Sequence, residues 1–411
     1  MSCSAIIDEL FSELSVPQRA EQHPPLPHND HLHLPPNFSA FDTVEQAVEL
    51  GAEQGLALLC ASNYYDYRIY RRFGRRCAQR GIFPVFGLEI IVFDEELAGQ
   101  GIRVNDPNNP GRMYVCGLSV VRFDPLPPRA GQTLGEIRTR DEQRMRKMID
   151  LLNEQMARAE AGVSLSYEEI VEGLVRRHGV APEAVCLQER HLAQAYQEAL
   201  CAGGMERGAA LAERVIGAKL SDPGDPVAMQ NDLRSHLMKA GRPAYVEEKF
   251  VTFARARETI LEMGGIPCYP ILGDGASPIC EFESSPEALR DELCARGFFM
   301  AQFIPRRNSL ELVERYARVL REAGIVLTVG TEHNTLELIP LRPACRGGQP
   351  LSAELEQLFW EGACVCAAHQ VLVARGERGF VDGEGNLCAD PRELAVVGAE
   401  LIAQMRQRQA C

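Results

Sequence analysis

The sequence predicts an α/β fold, a β/α barrel interrupted by a helical insertion and followed by a helical C-terminal extension. Three observations predict it. Continuous apolar runs of strand length alternate with helical stretches about every 25 to 30 residues, the length of a right-handed βαβ crossover. Strand signals then vanish between about residues 130 and 245, where charged helical sequence dominates. From Phe250 the alternation of helix and strand resumes.

In chain order, Ile6, Ile7, Leu10, Phe11 and Leu14 fall at helical spacing with acids between them, which predicts a packed helix and not a secretory leader. A Pro-rich stretch leads to an extended segment around His31-Leu32-His33. Asp42-Thr43-Val44-Glu45 has capping-box form and opens a helix whose inner face is Val44, Ala47, Val48 and Gly51. Leu56-Ala57-Leu58-Leu59-Cys60-Ala61 reads as a strand covered on both faces. A helix from Ile69 to Arg80 leads into the apolar run Ile82 to Val92, and another strand follows at Arg112 to Val121. Beyond the insertion come a helix at Ala254 to Met263 and the strand after Gly264-Gly265. Helix–strand pairs then end at Phe298 to Phe303 and at Ile325 to Val329, where the barrel is expected to close. The expected divisions are 1–130 and 246–345 for the two parts of the barrel, 131–245 for the insertion and 346–411 for the extension.

The 411 residues are 45% apolar and 24% charged, ordinary for a globular chain with a full core. The formal charge is −14 and Lys/Arg clusters stop at pairs, which argues against a nucleic-acid partner or an anionic membrane. No apolar run reaches the 18 or so residues of a bilayer span. The 14 cysteines are scattered through apolar surroundings without a Cys-x-x-Cys pair, so they are read as reduced core residues of a cytoplasmic protein.

In a β/α barrel the chemistry sits where parallel strands end. His31 and His33, two apart on an extended segment, share one face. Glu89 lies inside an apolar strand, where a carboxylate needs a partner or a metal. Glu332-His333 follows the strand Ile325 to Val329. Ionisable groups at three strand ends point to one metal centre, although a salt bridge at the barrel rim accounts equally well for Glu89 taken alone.

These segments resemble the PHP (polymerase and histidinol phosphatase) domain family, over about residues 28 to 121 and 245 to 340. Asp30-His31-Leu32-His33 resembles the opening His-x-His motif, Gly87-Leu88-Glu89 the Gly-x-Glu motif, Gly264 to Pro270 the Gly-Gly strand, and Gly330-Thr331-Glu332-His333-Asn334 the closing Gly-Ser-Asp-x-His. The resemblance implies a distorted (β/α)7 barrel and a metal-dependent phosphoesterase. The departures from the family are specific. Tyr64, Tyr114 and Tyr269 stand where the family has histidines, and Asn37 and Asn334 fall at further ligand positions. Phenols stay protonated near neutral pH and are poor ligands, so two of the family's three metal sites are expected to be lost. The remaining one implies His31, His33, Glu89 and Glu332 as ligands, with His333 as a possible supplement because that motif aligns to within one residue.

The expected function is hydrolysis of a small anionic substrate, a phosphoester, by one divalent transition metal (Zn, Mn or Fe) and the water it activates. Tyr64, Tyr269 and Arg306 are the residues expected to orient that substrate. Two other readings stand beside it: a catalytically silent barrel used for binding or regulation, and a single-metal enzyme acting on a non-phosphate substrate.

Overall fold

The computed structural model describes residues 3–17 and 23–409. Its strands are β1 (His28–Leu32), β2 (Leu58–Ala61), β3 (Phe83–Phe86), β4 (Leu88–Phe93), β5 (Arg112–Leu118), β6 (Ile266–Ile271), β7 (Met300–Phe303) and β8 (Val326–Val329). They form two sheets of order β1-β2-β3 and β4-β5-β6-β7-β8. A closed barrel of seven strands is therefore not what the ladders build. β5 runs antiparallel to both β4 and β6, while the remaining pairs are parallel. The connection between β4 and β5 carries the five-residue helix Glu95–Gly99 and a turn-rich loop, and returns the chain antiparallel to β4.

The two sheets meet at both seams through single bridges, Leu32 with Glu332 and Tyr64 with Glu89. Gly87 turns the chain from β3 into β4, and its place is set by space. A Cβ there would lie 2.9 Å from both the Gly117 carbonyl oxygen and Ser62 Oγ. Both seams fall where the chain carries its ionisable residues, so the ladder gives way to side-chain contacts at the place where chemistry is expected.

The helices are α1 (Ala5–Phe11), α2 (Val44–Glu53), α3 (Tyr70–Gln79), α4 (Glu95–Gly99), α5 (Pro128–Arg158), α6 (Tyr167–His178), α7 (Glu189–Leu200), α8 (Met205–Ile216), α9 (Pro226–Leu233), α10 (Phe253–Glu262), α11 (Pro286–Ala295), α12 (Leu310–Glu322), α13 (Ala353–Ala374) and α14 (Pro391–Gln409). In α2 the cap is Thr43, which accepts from the Gln46 amide, one residue later than the sequence spacing suggests. The long α5 serves two cores. Ala130, Leu134 and Ile137 join the main one, while Met145, Met148, Ile149 and Leu152 join a second built by α6, α7 and α9. Asp66, in the loop after β2, fastens this helical segment by pairing with both Arg68 and Arg138.

Helix α13 is buried along most of its length and completes an open edge. Gln370 accepts from the Phe86 amide and donates to the Pro84 carbonyl, both at 2.9 Å, in the way a neighbouring strand would pair with β3. Among the described residues no helix is long and apolar enough to cross a membrane.

Candidate metal centre

His31 is the fourth residue of β1 and His33 follows its last residue, while Glu89 is the second residue of β4. Their relative exposures are 0%, 1% and 4%. His31 Nε2 lies 3.3 Å from His33 Nε2, and Glu89 Oε2 lies 3.2 and 3.4 Å from the same two nitrogens. Four-coordinate sites with bonds of about 2.0–2.1 Å place neighbouring ligand atoms about 3.3 Å apart, so this triangle has the dimensions of a tetrahedral face. Among the described residues, these three form the one group of His, Cys, Asp or Glu whose donors converge in this way.

Hydrogen bonds around the trio settle where the proton on His31 sits. Gln302, in the middle of β7, donates through Nε2 to the Asp30 carbonyl (3.0 Å) and to Thr328 Oγ1 (3.1 Å). Its Oε1 therefore faces His31 Nδ1, at 2.6 Å. An amide oxygen only accepts, so Nδ1 carries hydrogen and the Nε2 lone pair points at the other two donors. A lone pair in contact with a carboxylate oxygen repels it unless a proton or a cation lies between them. Burial by itself pushes the Glu89 carboxyl up, but where protons and not lone pairs of the two imidazoles face it, their hydrogen bonds outweigh burial and hold it far below the carboxylate range. The donor set of two imidazoles and one carboxylate suits a divalent transition metal and leaves a coordination position open.

Tyr64 sits at the edge of the trio. Its ring stacks on His33 with centroids 4.9 Å apart, and its hydroxyl donates to Glu89 Oε1 at 2.5 Å. Burial, then the charge of Glu89, pushes its pKa well up, so it is a phenol that donates and not a phenolate that ligates. Tyr114 pairs with Ile91 as Cys116 pairs with Glu89, two positions along, so it shares the face of the carboxylate.

The residues of the last motif are placed differently. Glu332 and His333 both have left-handed backbone, with φ of 62° and 52°. The turn is clipped to β1 by the Thr331 and Glu332 amides, which both donate to the His31 carbonyl, and by the His33 amide, which donates to the Glu332 carbonyl. His333 is pointed out of the centre. Its Nδ1 meets Thr331 Oγ1 at 2.8 Å, its Nε2 meets the Ile339 carbonyl at 2.9 Å, and its ring stacks on Phe41, so neither nitrogen is left for a metal. The Glu332 carboxylate lies at the rim, outside the converging trio, held by Arg307 and by Asn334 Nδ2 at 2.8 Å.

Two expected substrate-orienting residues are also elsewhere. Tyr269 pairs with Ala301 in β7, while Pro270 pairs with Gln302, the residue that reaches His31. Adjacent residues of a strand face opposite ways, so Tyr269 points outward. There it donates to Glu283 Oε1 at 2.8 Å, beside Phe282 and Phe298. Arg306 is taken by the exposed Glu337, and its neighbour Arg307 is the one that reaches the rim. Sequence reasoning missed Gln302, and of the pair Arg306-Arg307 it chose Arg306. The signal for Gln302 was present, a lone amide in the apolar strand Met300-Ala301-Gln302-Phe303.

No protein-family profile matches the chain, and no curated protein does. Among solved structures it is similar to a proposed metal-dependent phosphoesterase from Bifidobacterium adolescentis. The match has a TM-score of 0.53 and 15% identity, and covers 82% of this chain and 96% of that one. An amidohydrolase from Chromobacterium violaceum aligns with a TM-score of 0.49 and 17% identity, over 80% of this chain and 96% of that one. At these identities the first likeness speaks for a shared fold.

Proposed function

We propose that this chain is a metal-dependent hydrolase of the PHP type, built on that family's distorted barrel, with one divalent transition metal held by His31, His33 and Glu89. The observation that carries the reading is the buried triangle of donors with its protonation fixed by Gln302. A metal bound there supplies a Lewis acid that polarises an oxygen of the substrate and makes water nucleophilic at neutral pH.

The protein's own groups account for the rest. Gln302 holds His31 in the ligating tautomer, and Tyr64 fixes one oxygen of Glu89 while the other faces the two imidazoles. Glu332 and Arg307 form a charged pair at the rim, where Arg307 is free to exchange its carboxylate for an anion on the substrate. Guanidinium groups at the opening favour a small anionic substrate, and a phosphoester fits both that charge and the fold of the Bifidobacterium structure.

The test is turnover of an aryl phosphate and an aryl acetate by protein reconstituted with Zn, Mn or Fe. Phosphatase activity that depends on metal and is abolished in Glu89→Gln supports the reading. Hydrolysis of the acetate alone would move the assignment to a non-phosphate substrate. Full metal occupancy with no turnover of either would favour a binding module.

A further inference from the structure

Arg112 on β5, Arg144 on α5, Arg190 on α7 and Arg307 at the rim are four arginines in a chain whose formal charge is −14. Three of them have acids. Arg307 pairs with Glu332, Arg112 lies 3.3 Å from both Asp106 and Glu248, and Arg144 lies 2.5 Å from Glu189. The fourth, Arg190, makes no hydrogen bond or ion pair through its side chain among the described residues, and its one aromatic contact is with Phe38, at 5.8 Å. It is half-buried, and burial followed by the neighbouring Arg234 brings its pKa down to about 10, against the pull of Glu332. A guanidinium partly withdrawn from water and holding no ion pair is open to an anionic partner.

Arg190 and Arg234 line one cleft with Phe38 and Thr335. Phe38 follows β1 and Thr335 follows β8, so the cleft opens between the two loops that carry His33 and Glu332. Its volume of about 50 Å³ holds about three or four waters, the size of one oxyanion group. Arg234 opens a π-helical turn, Arg234–Met238, a local irregularity that proteins often keep at functional positions. The acid that Arg234 reaches, Glu189 at 3.8 Å, already serves Arg144 and Lys239.

We propose that Arg190, assisted by Arg234, is the element that recognises substrate charge, holding a phosphate group of the substrate in the cleft between the helical segment and the metal centre. This rests on the hydrolase reading and extends it, because it places specificity on the helical segment and not on the barrel strands. The planar fork of Arg190 supplies two parallel donors to such a group, and the missing counter-charge arrives with the ligand.

Inorganic phosphate is the probe, titrated calorimetrically into wild type, Arg190→Gln, Arg190→Lys and Arg234→Gln, with metal content and melting temperature measured for each. Wild type is expected to bind phosphate and to melt higher in its presence. Arg190→Gln should weaken phosphate binding about tenfold or more at unchanged metal content. Its melting temperature without phosphate should hold, because the side chain it replaces makes no hydrogen bond or ion pair. Arg190→Lys, which keeps the charge and loses the fork, should fall between the two, and Arg234→Gln should weaken binding less than Arg190→Gln. A variant Arg190→Gln that binds phosphate as wild type does, or whose melting temperature falls sharply because the side chain is structural, overturns the proposal. Metal binding without phosphate binding in wild type overturns it while leaving the hydrolase reading in place. Phosphate binding that depends on Arg190 in protein holding no metal supports the cleft and removes the reading on which it was built.

Discussion

At the scale of single residues the centre depends on groups that never touch the bound ion. Gln302 is the clearest case, since its two donors are committed to the Asp30 carbonyl and Thr328 and only its oxygen is left for His31. Replacing Gln302 with Leu should lower metal affinity about 10- to 100-fold while leaving all three ligands in place, as read by competition with a chelating dye. Glu89→Gln should lower metal content further than Tyr64→Phe, because the first removes a charged ligand and the second only a hydrogen bond to it. Equal losses in both would contradict the roles given to these side chains. The His-x-His pair and Glu89 were legible in the sequence because an ionisable group in an apolar strand demands an explanation. Tyr269, His333 and Arg306 were not, for a common reason. Each is one position from a residue that does lie at the centre or its rim, namely Pro270, Glu332 and Arg307, and one position decides the face of a strand or the direction of a turn.

At the scale of elements the two seams carry the functional geometry, and Gly87 holds one of them. A methyl group there meets a backbone oxygen that cannot move aside, so Gly87→Ala should cost about 1–3 kcal/mol in a urea titration and reduce metal retention with it. An unchanged midpoint would show that the passage from β3 to β4 tolerates a side chain. Gln370→Leu tests the outer edge of the same strand. It leaves the Phe86 amide and the Pro84 carbonyl without partners in a buried place, at a cost of about 2–4 kcal/mol. Periodicity made most helices and strands readable, as in α3 and β2. Strand direction was not readable between β4 and β5, because apolar runs look alike in either sense.

At the scale of the whole molecule the helical segment and the two sheets have to stay together for the centre to be covered. Within the helical segment, Glu189 at the start of α7 is one tie, paired with Arg144 of α5 and Lys239. Burial alone pushes its carboxyl up, but Lys239 and Arg144 outweigh it and bring it down to about 2 from an ordinary value of 4.5. A depressed acid gives its full stabilisation above the ordinary value and loses it as pH falls toward the folded one. About 3 kcal/mol of stability should therefore disappear between about pH 4.5 and pH 2, and Glu189→Gln should flatten that part of the profile. The central claim is the proposed single metal site, against up to three in the PHP domain the sequence resembles, since Tyr64, Tyr114 and Tyr269 offer phenols in place of imidazoles. The most direct test is elemental analysis of the purified, dialysed protein after metal supplementation. Close to one transition metal per chain is the predicted result, falling toward zero in Glu89→Gln. Two or three metals per chain, or none, would contradict it.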